Sequence, residues 1–320
     1  MSNLRESEIK RQIVFALGAV LATSLVFSLV FSLGRKVQAA GPTFTTIDFP
    51  GACGTIATAI NYTGTIVGDF GFSCKTPEVL HGYTLSQGTF TQFDFPGATS
   101  TRPLGISDAG DIVGWFRDSK GGKDHGFLLS GGAFTSIDFP GASQTHAIGI
   151  DSVGTIFGSY CIGGNSCYPV DQLHGFMLNG GVFTTIDFPG AISTEVWGHD
   201  RAGQIAGRYQ DVSGVFHILL LSHGSFTSID FPGAAETAPS WYAFGGINAG
   251  ADIASGYCAA EPCTNPSPSL HSFLMKNGQF TAFDPPNSLG SEASGVNSVD
   301  EIVGIEVGQD GHYHGYLLTP

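Results

Sequence analysis

The sequence predicts an all-β fold, a six-bladed β-propeller of four-stranded antiparallel blades. Three observations predict it: a motif spanning His125 to Ala142 recurs along the chain, its copies are spaced like propeller blades, and the two ends of the chain are complementary halves of one repeat. No apolar pattern at helical spacing is readable after residue 40. With 320 residues, the chain is long enough to bury a large core in one all-β domain.

The recurring motif predicts a β-hairpin with a defined register. In each of five complete copies a His precedes an Asp by 13 positions, and a dipeptide ending in Gly lies at the midpoint. Two-residue hairpin turns need positive φ at both central residues, which Gly adopts readily. Folding about Gly131 and Gly132 therefore places His125 opposite Asp138. The six predicted pairs, the last formed across the two chain ends, are His81 and Asp94, His125 and Asp138, His174 and Asp187, His217 and Asp230, His271 and Asp284, and His314 and Asp48.

Each repeat carries a second hairpin in front of this one. A short strand of small residues leads into a turn that an Asn, Asp or Ser begins, as at Asn61, because these side chains bond their own backbone at turns. A strand of the type Gly-x-Ile-Val-Gly-x-Tyr returns from the turn. The Asp residues of successive motifs lie 46, 44, 49, 43 and 54 positions apart, which is typical of four-stranded propeller blades. We expect the small-residue strand to be innermost, where the blades converge on the axis.

The two ends of the chain predict how the ring closes. Residues 314–320 are a third strand without its partner, and residues 41–48 are a fourth strand without its partner. Pairing them would complete a sixth blade and remove both open sheet edges. An open β-solenoid is the alternative, but it has no need of complementary half-repeats. We therefore expect residues 41–320 to form one propeller, closed by pairing of the N- and C-terminal strands.

Residues 1–40 have the features of an export signal. A basic start at 5–11, an apolar run at 13–33 and a small-residue cleavage site at 37–39 follow one another. The apolar run is 21 residues long, so a retained membrane anchor is the alternative to a cleaved signal peptide. In both cases the propeller would be exported to the periplasm, the cell surface or the medium, and any membrane contact would be made through residues 13–33.

The cysteine content fits an exported protein. Each Cys lies in or near a loop that follows a strand end, and disulfides persist only in an oxidising compartment. A metal site would need tighter Cys-x-x-Cys spacing and nearby ligands, so we predict neither a metal nor a cofactor. The predicted disulfides are Cys53 with Cys74, Cys161 with Cys167, and Cys258 with Cys263.

The charge of the chain limits the possible partners. Without residues 1–40, 8 basic residues stand against 25 acidic ones, a net charge of −17. Nucleic-acid binding draws its affinity from Lys and Arg, so DNA and RNA are excluded as expected partners.

A three-residue motif opens the third strand of each repeat. It reads His-Gly-Phe at 125–127 and 174–176 and His-Gly-Tyr at 81–83 and 314–316, whereas residues 217–219 and 271–273 depart from it. The repeats resemble those of bacterial extracellular proteins named for a recurring His-Ala-Phe (HAF) motif, and the resemblance covers residues 44–320. It implies export and a repeat architecture, and it carries no general catalytic activity.

Departures from the repeat are the candidate binding residues, because the fold does not require them. The tight turns belong to one face of the disc, so the cysteine-pinned loops and the Phe-Pro-Gly-Ala loops share the other, which we expect to bind a ligand. Aromatic side chains there would stack on sugar rings or a peptide, or else fill gaps between loops. The candidate residues are His146, Tyr168, His199, Asp200, Arg208, Trp241 and Tyr242.

The sequence predicts a binding protein more readily than an enzyme. It contains no Gly-x-Ser-x-Gly, phosphate-binding loop, His-Glu-x-x-His or EF-hand spacing. The His–Asp pairs are interpreted as structural, because one active site does not need six copies. The prediction is an exported, non-catalytic propeller whose partner is an extracellular glycan or protein. The alternatives are a carbohydrate hydrolase or lyase using His199, Asp200 or His146 at the axial mouth, and a structural envelope protein, so enzymatic activity stays open.

Overall fold

The structure is a computed structural model, and it describes residues 41–73, 79–119, 122–163, 173–239, 244–263 and 269–320. The chain divides into two compact units, Met1–Gly41 and Pro42–Pro320. The segment predicted to be a signal peptide or membrane anchor, residues 1–40, lies outside the described residues. Across the described ranges no helix is both long and apolar enough to cross a membrane.

The described residues form 25 strands joined by turns and loops. In chain order the strands are β1 (Thr43–Ile47), β2 (Gly54–Ile60), β3 (Ile66–Gly71), β4 (His81–Ser86), β5 (Thr89–Phe93), β6 (Ala98–Ile106), β7 (Ile112–Asp118), β8 (Asp124–Ser130), β9 (Ala133–Ile137), β10 (Gln144–Ile150), β11 (Ile156–Cys161), β12 (Leu173–Asn179), β13 (Val182–Ile186), β14 (Ser193–His199), β15 (Ile205–Gln210), β16 (Phe216–Ser222), β17 (Ser225–Ile229), β18 (Glu236–Thr237), β19 (Gly246–Ile247), β20 (Ile253–Cys258), β21 (Leu270–Lys276), β22 (Gln279–Phe283), β23 (Gly290–Val296), β24 (Ile302–Val307) and β25 (Tyr313–Thr319).

The strands are arranged in six antiparallel sheets, the blades of a propeller. Blade 1 is β2–β5, blade 2 is β6–β9, blade 3 is β10–β13 and blade 4 is β14–β17. Blade 5 is β18–β22, its inner strand being split into β18 and β19, and blade 6 is β23–β25 with β1. The predicted fold, six four-stranded antiparallel blades, is therefore confirmed.

The N-terminal strand closes the ring. β1 pairs with β25, so that Thr43 lies opposite Thr319 and Ile47 opposite Gly315. The Oγ1 atoms of Thr43 and Thr319 are 2.6 Å apart, which holds the end of this ladder. The predicted pairing of the two terminal strands is confirmed, and blade 6 is completed by both ends of the chain.

The outer hairpin of each blade has the predicted register. In blade 2, Phe127 lies opposite Ser136 and Leu129 opposite Phe134. Both residues of the turn, Gly131 and Gly132, have positive φ, as a two-residue turn of this kind requires.

The inner hairpin brings two strands unusually close. A Cβ atom at Gly68 would lie 1.9 Å from the backbone oxygen of Ile56, so only Gly fits there. The inner strand also bulges, with the register shifting between Ala57 and Ala59, and the same shift occurs in the inner strands of blades 2, 3, 4 and 6. The bulge turns one extra residue of the inner strand away from the regular pairing.

An aromatic stack joins each of five pairs of neighbouring blades. Between blades 6 and 1, the rings of Phe49 and Phe70 lie 3.6 Å apart with planes at 4°, and His81 packs against Phe70 at 5.5 Å. The Phe49 N–H donates to Thr55 Oγ1 at 2.9 Å, which fixes the loop between the blades. The equivalent stacks at the next four joints are Phe95 on Phe116, Phe139 on Tyr160, Phe188 on Tyr209, and Phe231 on Tyr257.

The joint between blades 5 and 6 is built differently. Pro285 replaces the Phe, Glu306 replaces its aromatic partner and Ser291 replaces the Thr. Pro285 has no N–H to donate, and Ser291 Oγ instead donates to Asp284 Oδ1 at 2.7 Å. Burial raises the pKa of Glu306, although nearby His314 opposes the shift. Three linked substitutions thus replace a stacked joint by a polar one.

Candidate functional site

The outer hairpins bring together all six His–Asp pairs singled out in the sequence. In each pair the His Nδ1 lies 2.6–3.1 Å from a carboxylate oxygen of its Asp. The side chains are partly exposed, and a cross-strand pair of this type stabilises a sheet by about 0.2–1 kcal/mol. With one pair in each blade, spread around the ring, the pairs form six separate contacts and no shared site.

The cysteine-pinned loops confirm one predicted disulfide. Cys258 and Cys263 are bonded to each other. Cys53 and Cys161 are also disulfide-bonded. Their predicted partners, Cys74 and Cys167, lie outside the described residues.

A pair of glutamates lies beside the Cys258–Cys263 disulfide. The carboxylates of Glu236 and Glu261 come within 4.8 Å of each other and of Cys263 Sγ. Because this sulfur is bonded to Cys258, it is not a thiolate and does not serve as a metal ligand. Burial, and after it the charge of Glu261, raises the pKa of Glu236 to about 7. Glu236 also lines a surface cavity of about 350 Å³.

Three of the candidate binding residues cannot be placed in this arrangement. In the sequence, Tyr168 follows β11 and precedes β12, and Trp241 and Tyr242 come between β18 and β19. All three lie outside the described residues.

His146 belongs to the joint between blades 2 and 3. Its ring stacks on Trp115, with centroids 5.4 Å apart and planes at 23°, and its Nε2 lies 3.2 Å from Asp124 Oδ2. Arg117 donates two hydrogen bonds to Asp124, at 2.7 and 3.0 Å. Burial alone would raise the pKa of Asp124, but the hydrogen bonds from His146 and Arg117 outweigh it and lower that pKa. The cluster therefore holds an ionised carboxylate between two blades.

Arg208 is the largest fully buried side chain in the described part of the protein. Its Nε and Nη2 donate to the two carboxylate oxygens of Glu195, at 3.2 and 3.1 Å. Its Nη1 donates to the backbone oxygen of Ala238 at 3.1 Å, where the inner strand of blade 5 is interrupted. Arg208 thus ties blade 4 to the irregular inner strand of blade 5 and is not exposed to a ligand.

His199 lies at the axial mouth on the face that carries the tight turns. Its Nε2 is 2.7 Å from Oδ2 of Asp151, and its Nδ1 is hydrogen-bonded to the backbone oxygen of Asp200. Both partners are hydrogen-bond acceptors, so both ring nitrogens of His199 are already engaged within the protein. Burial of Asp151 by itself would raise its pKa, but hydrogen bonds from His199 and Thr155 outweigh burial and lower that pKa. The imidazole is therefore poorly suited to act as a general base.

At three other joints an Asn makes the link that His199 makes here. Asn61, Asn248 and Asn297 each begin an inner turn, and the Nδ2 of each donates to the backbone oxygen of the equivalent residue in the next blade, at 3.0–3.1 Å. Asp151 occupies the same position, but its side chain has no N–H group to donate. His199 inserts its ring between the Asp151 carboxylate and the Asp200 backbone oxygen. The departure from the repeat therefore compensates for a missing amide.

The hydrolase alternative would use His199, Asp200 or His146 at the axial mouth, and the structure separates His146 from the other two. His146 pairs with Ser159 toward the other end of its strand, away from the inner turn. The Asp200 carboxylate accepts the backbone N–H of Gln204 at 2.8 Å and caps its own turn. His199 and Asp200 also lie on the tight-turn face, opposite the loop face expected to bind a ligand. The three side chains form no common site.

Two cavities share the axis behind this mouth. The inner one has a volume of about 120 Å³ and the outer one about 220 Å³, and His199 lines both. One position of each inner strand forms a ring around them. The residues of this ring are Ile60, Ile106, Ile150, His199, Ile247 and Val296. Leu104, Ile148 and Trp197, the bulge residues of blades 2–4, line the inner cavity and share one apolar cluster. We call the two cavities together the axial cup.

Two residues of the axial cup were not among the candidates. Trp197 Nε1 and Ser294 Oγ are buried and have no hydrogen-bond partner. Both residues occupy the bulge position of their inner strands, and both line the inner cavity. The sequence does carry a signal. In five blades the bulge position of this small-residue strand holds a Thr, a Leu, an Ile, a Trp or a Ser. Without the bulge, however, nothing in the sequence indicates that this position faces the axis.

No family model and no curated protein matches the chain. Among solved structures it is similar to a triple mutant of AofleA from Arthrobotrys oligospora, at 12% identity over 89% of this chain and 88% of that one, with a TM-score of 0.52. It is also similar to Aleuria aurantia lectin AAL in complex with Fucalpha1-6GlcNAc, at 10% identity over 83% of this chain and 91% of that one, with a TM-score of 0.52.

A third similar structure is the sialidase of Trypanosoma rangeli, at 10% identity over 88% of this chain and a TM-score of 0.52. The chain spans 59% of the sialidase. At these identities the similarity establishes the propeller fold and nothing finer, because one fold carries many unrelated functions.

Proposed function

We propose that the protein is an exported, non-catalytic binding propeller of the HAF-repeat type, acting at the cell surface, in the periplasm or outside the cell. The observation that carries the proposal is the engagement of the candidate catalytic and binding groups in contacts within the protein. His199 is held between two acceptors, the His146 ring is stacked on Trp115, and Arg208 is buried against Glu195. Groups used in this way hold blades together and are not poised for proton transfer.

Export is supported by the cysteines and by the N-terminal sequence. The Cys258–Cys263 disulfide, with further disulfide bonds at Cys53 and Cys161, fits an oxidising compartment. The apolar run at 13–33, with its basic start, would direct the chain there.

An extracellular glycan is the partner that we favour. The surface is strongly acidic, which disfavours anionic partners such as nucleic acid. One structural neighbour is a lectin in complex with Fucalpha1-6GlcNAc, so the propeller fold is compatible with sugar binding. An extracellular protein is the other partner class, and it would use the loop face.

A glycan array probed with the propeller unit, Pro42–Pro320, tests this function. The unit contains its own core and both terminal strands that pair to close the ring, so it can be produced by itself. We expect binding to a restricted set of glycans and no release of sugar from any of them. A silent array, with a silent pull-down from extracellular protein, would contradict the binding function.

Carbohydrate hydrolysis is the second candidate, and Glu236 favours it. A carboxyl with a pKa of about 7 next to a second carboxylate is suited to act as a general acid. Release of reducing sugar from an array glycan, abolished by Glu236→Gln and retained by His199→Gln, would replace the binding function by this one.

A further inference from the structure

Blade 1 exposes an aromatic ring on the loop face. Phe72 follows β3, two residues beyond the position where Phe70 pairs with His81, and it is 56% exposed. Its ring lies edge-on to Phe70 at 5.1 Å and to Phe49 at 6.4 Å, so it adds a third ring to the stacked joint between blades 6 and 1. The four other stacked joints have no aromatic residue at this position, so the joint does not require one. The residues that stand there are Asp118, Ile162, Asp211 and Ala259.

In two other blades the residue at this position has a structural partner. It is an acid in blades 2 and 4, and the carboxylates of Asp118 and Asp211 lie 3.7 and 3.5 Å from Nε2 of the His in the same blade. In blade 1 the ring of Phe72 lies 5.8 Å from the ring of His81 and offers no carboxylate. Among the described residues, Nε2 of His81 therefore has no hydrogen-bond partner.

A second departure from the repeat lies beside the first. The outer strand of blade 1 has Gln92 opposite Tyr83, where the other blades have Ser, Thr or Ala. The exposed Gln92 donates through Nε2 to Asp94 Oδ2 at 2.9 Å, and Asp94 lies 3.1 Å from His81 Nδ1. The amide oxygen of Gln92 accepts no hydrogen bond from the part of the chain that the structure describes.

The four side chains together present one aromatic ring and three polar groups to solvent. The polar groups are the carboxylate of Asp94, the amide oxygen of Gln92 and the imidazole Nε2 of His81, and His81 joins them to the ring of Phe72. We call Phe72, His81, Gln92 and Asp94 the blade 1 site. The His–Asp pair in it belongs to the repeat, whereas the ring and the amide occur in this blade alone.

The blade 1 site has the chemistry that a pyranose ring requires. An aromatic ring supplies apolar contact area for the C–H face of a sugar, and a few polar groups fix its orientation. The carboxylate and amide oxygens are acceptors, so the ligand must carry several hydroxyl or amide donors. The exposed Asp94, on a propeller with 8 basic residues against 25 acidic ones, disfavours an anionic sugar.

We propose that the blade 1 site binds one neutral hexopyranose unit of a glycan, with its C–H face on Phe72 and its hydroxyls donating to Asp94 and Gln92. The inference rests on the proposed glycan-binding function and deepens it by assigning the site and the charge of the sugar. The site lies on the open loop face, so a sugar unit within a longer chain reaches it as readily as a terminal one.

Saturation-transfer difference NMR of the propeller unit, Pro42–Pro320, measures weak sugar binding directly. The probes are the methyl glycosides of D-glucose, D-galactose and D-mannose, with D-glucuronate as the anionic match. Any neutral glycan that is positive on the array serves as a further probe. We expect at least one neutral probe to receive saturation, most strongly at the C–H protons of one ring face, and D-glucuronate to receive none.

Phe72→Asp tests the aromatic contact. The change gives blade 1 the residue that blades 2 and 4 carry at this position, where it lies near the His of its own blade. We expect it to leave thermal unfolding unchanged and to weaken binding of the same probe about tenfold or more, because the stacking surface is lost. Ile162→Asp is the matched control. Ile162 occupies the equivalent position in blade 3 and is 58% exposed, and we expect this variant to bind with native affinity.

Gln92→Ser tests the polar contact. In blade 2 the equivalent Ser136 donates to Asp138 at 2.8 Å, so a serine at position 92 can keep a hydrogen bond to Asp94 while the amide oxygen is removed. We expect binding of the same probe to weaken about two- to tenfold, as the loss of one hydrogen bond implies. Thr185→Ser changes the equivalent position in blade 3 and should leave binding unchanged.

Three results would overturn the proposal. If a glycan from the array binds Phe72→Asp with native affinity, the sugar site lies elsewhere and the binding function stands. If the array and every neutral probe are silent, both the site and glycan binding are refuted. If D-glucuronate or a tetralysine peptide binds in a way that Phe72→Asp abolishes, and no neutral sugar binds, the blade 1 site takes a different class of ligand.

Discussion

The outer hairpin and the inner strand of the blades differ in how regularly their contacts recur from one blade to the next. In the outer hairpins one solution is repeated, a His–Asp pair across a two-residue turn, six times around the ring. Along the inner strands three joints share an Asn link, and others have a contact of their own, such as an Arg–Asp pair at Arg102 or a His–Asp pair at His199. The difference shows that the outer hairpins reuse one contact around the whole ring, whereas the inner strands combine shared links with contacts that are specific to one joint.

The comparison also changes how a departure from the repeat is interpreted. In five of the six blades the His and Asp of the outer hairpin lie 13 positions apart, so both belong to one copy of the repeat. Between blades, partners such as His199 and Asp151 lie 48 positions apart, and each joint can diverge as a pair. A departure from the repeat is therefore no evidence of function where its side chain has such a structural partner.

Arg208→Met should give the largest loss of stability, because it breaks a buried ion pair within blade 4 and a hydrogen bond to Ala238 of blade 5. It leaves the carboxylate of Glu195, itself buried, without its charged partner. Removal of one member of a buried pair costs about 3–5 kcal/mol. Guanidinium chloride denaturation of the propeller unit measures the loss.

The matched control for that change is the double variant Arg208→Met with Glu195→Gln. It removes the uncompensated charge, so we expect it to recover a substantial part of the stability. A double variant no more stable than the single one would show that the packing of Arg208, and not its pairing, holds this joint.

His199→Ile should cost less, and a second substitution should reverse the cost. The change leaves Asp151 without its His partner, which should destabilise the protein by about 1–3 kcal/mol. Adding Asp151→Asn supplies an amide that can donate to the Asp200 backbone oxygen, as Asn297 does toward Asn61. The joint would then match its neighbours, and thermal unfolding should show the rescue. If Asp151→Asn lowers the stability further, the proposed equivalence of the two links is wrong.

The outer half of the fold was predictable from the sequence for a local reason. The turn at Gly131 and Gly132 sets the register of its hairpin, so His125 and Asp138 must face each other. The closure of the ring was predictable from the sequence as well, since the terminal half-repeats contain the two strands that pair in blade 6.

The inner half was not predictable, because its contacts depend on the geometry of the whole ring. Asn61 is recognisable from the sequence as a turn residue, but its link to the next blade exists only once six blades stand around an axis. The bulge that brings Trp197 and Ser294 to the cup leaves no pattern in the sequence. His146 departs visibly from the repeat, but its place at the joint between blades 2 and 3 depends on a partner, Asp124, that only the folded ring brings near it.

The closing His–Asp pair should make blade 6 sensitive to pH. Burial lowers the pKa of His314, but hydrogen bonds to Asp48 and Asp310 outweigh it and raise that pKa above 6.5. Stabilisation from a raised His pKa is fully present below the unfolded value of 6.5 and is lost as the pH rises through the folded value. Glu306 lies close by, and its pKa is also raised. Its contribution to stability therefore also falls as the pH rises.

Amide hydrogen exchange of residues 43–47, measured between about pH 6 and about pH 8 and corrected for the intrinsic rate, tests this dependence. We expect the protection of β1 to fall across that range. In His314→Gln the fall should be flatter, with Glu306 left in place. An identical pH dependence in the variant and the native protein would exclude His314 as its source.

The smallest effect is expected where the repeat is most regular. Replacing His125 by Leu removes a partly exposed pair with Asp138 and should cost about 0.2–1 kcal/mol. The same substitution at His174 and His217 should cost about as much, and the triple variant should lose the sum, because the three pairs lie in separate blades. Denaturation of the single and triple variants measures both quantities. A single variant that abolished binding on the glycan array without changing stability would give the repeated pair a functional role, and it would reverse the distinction between repeated and divergent residues.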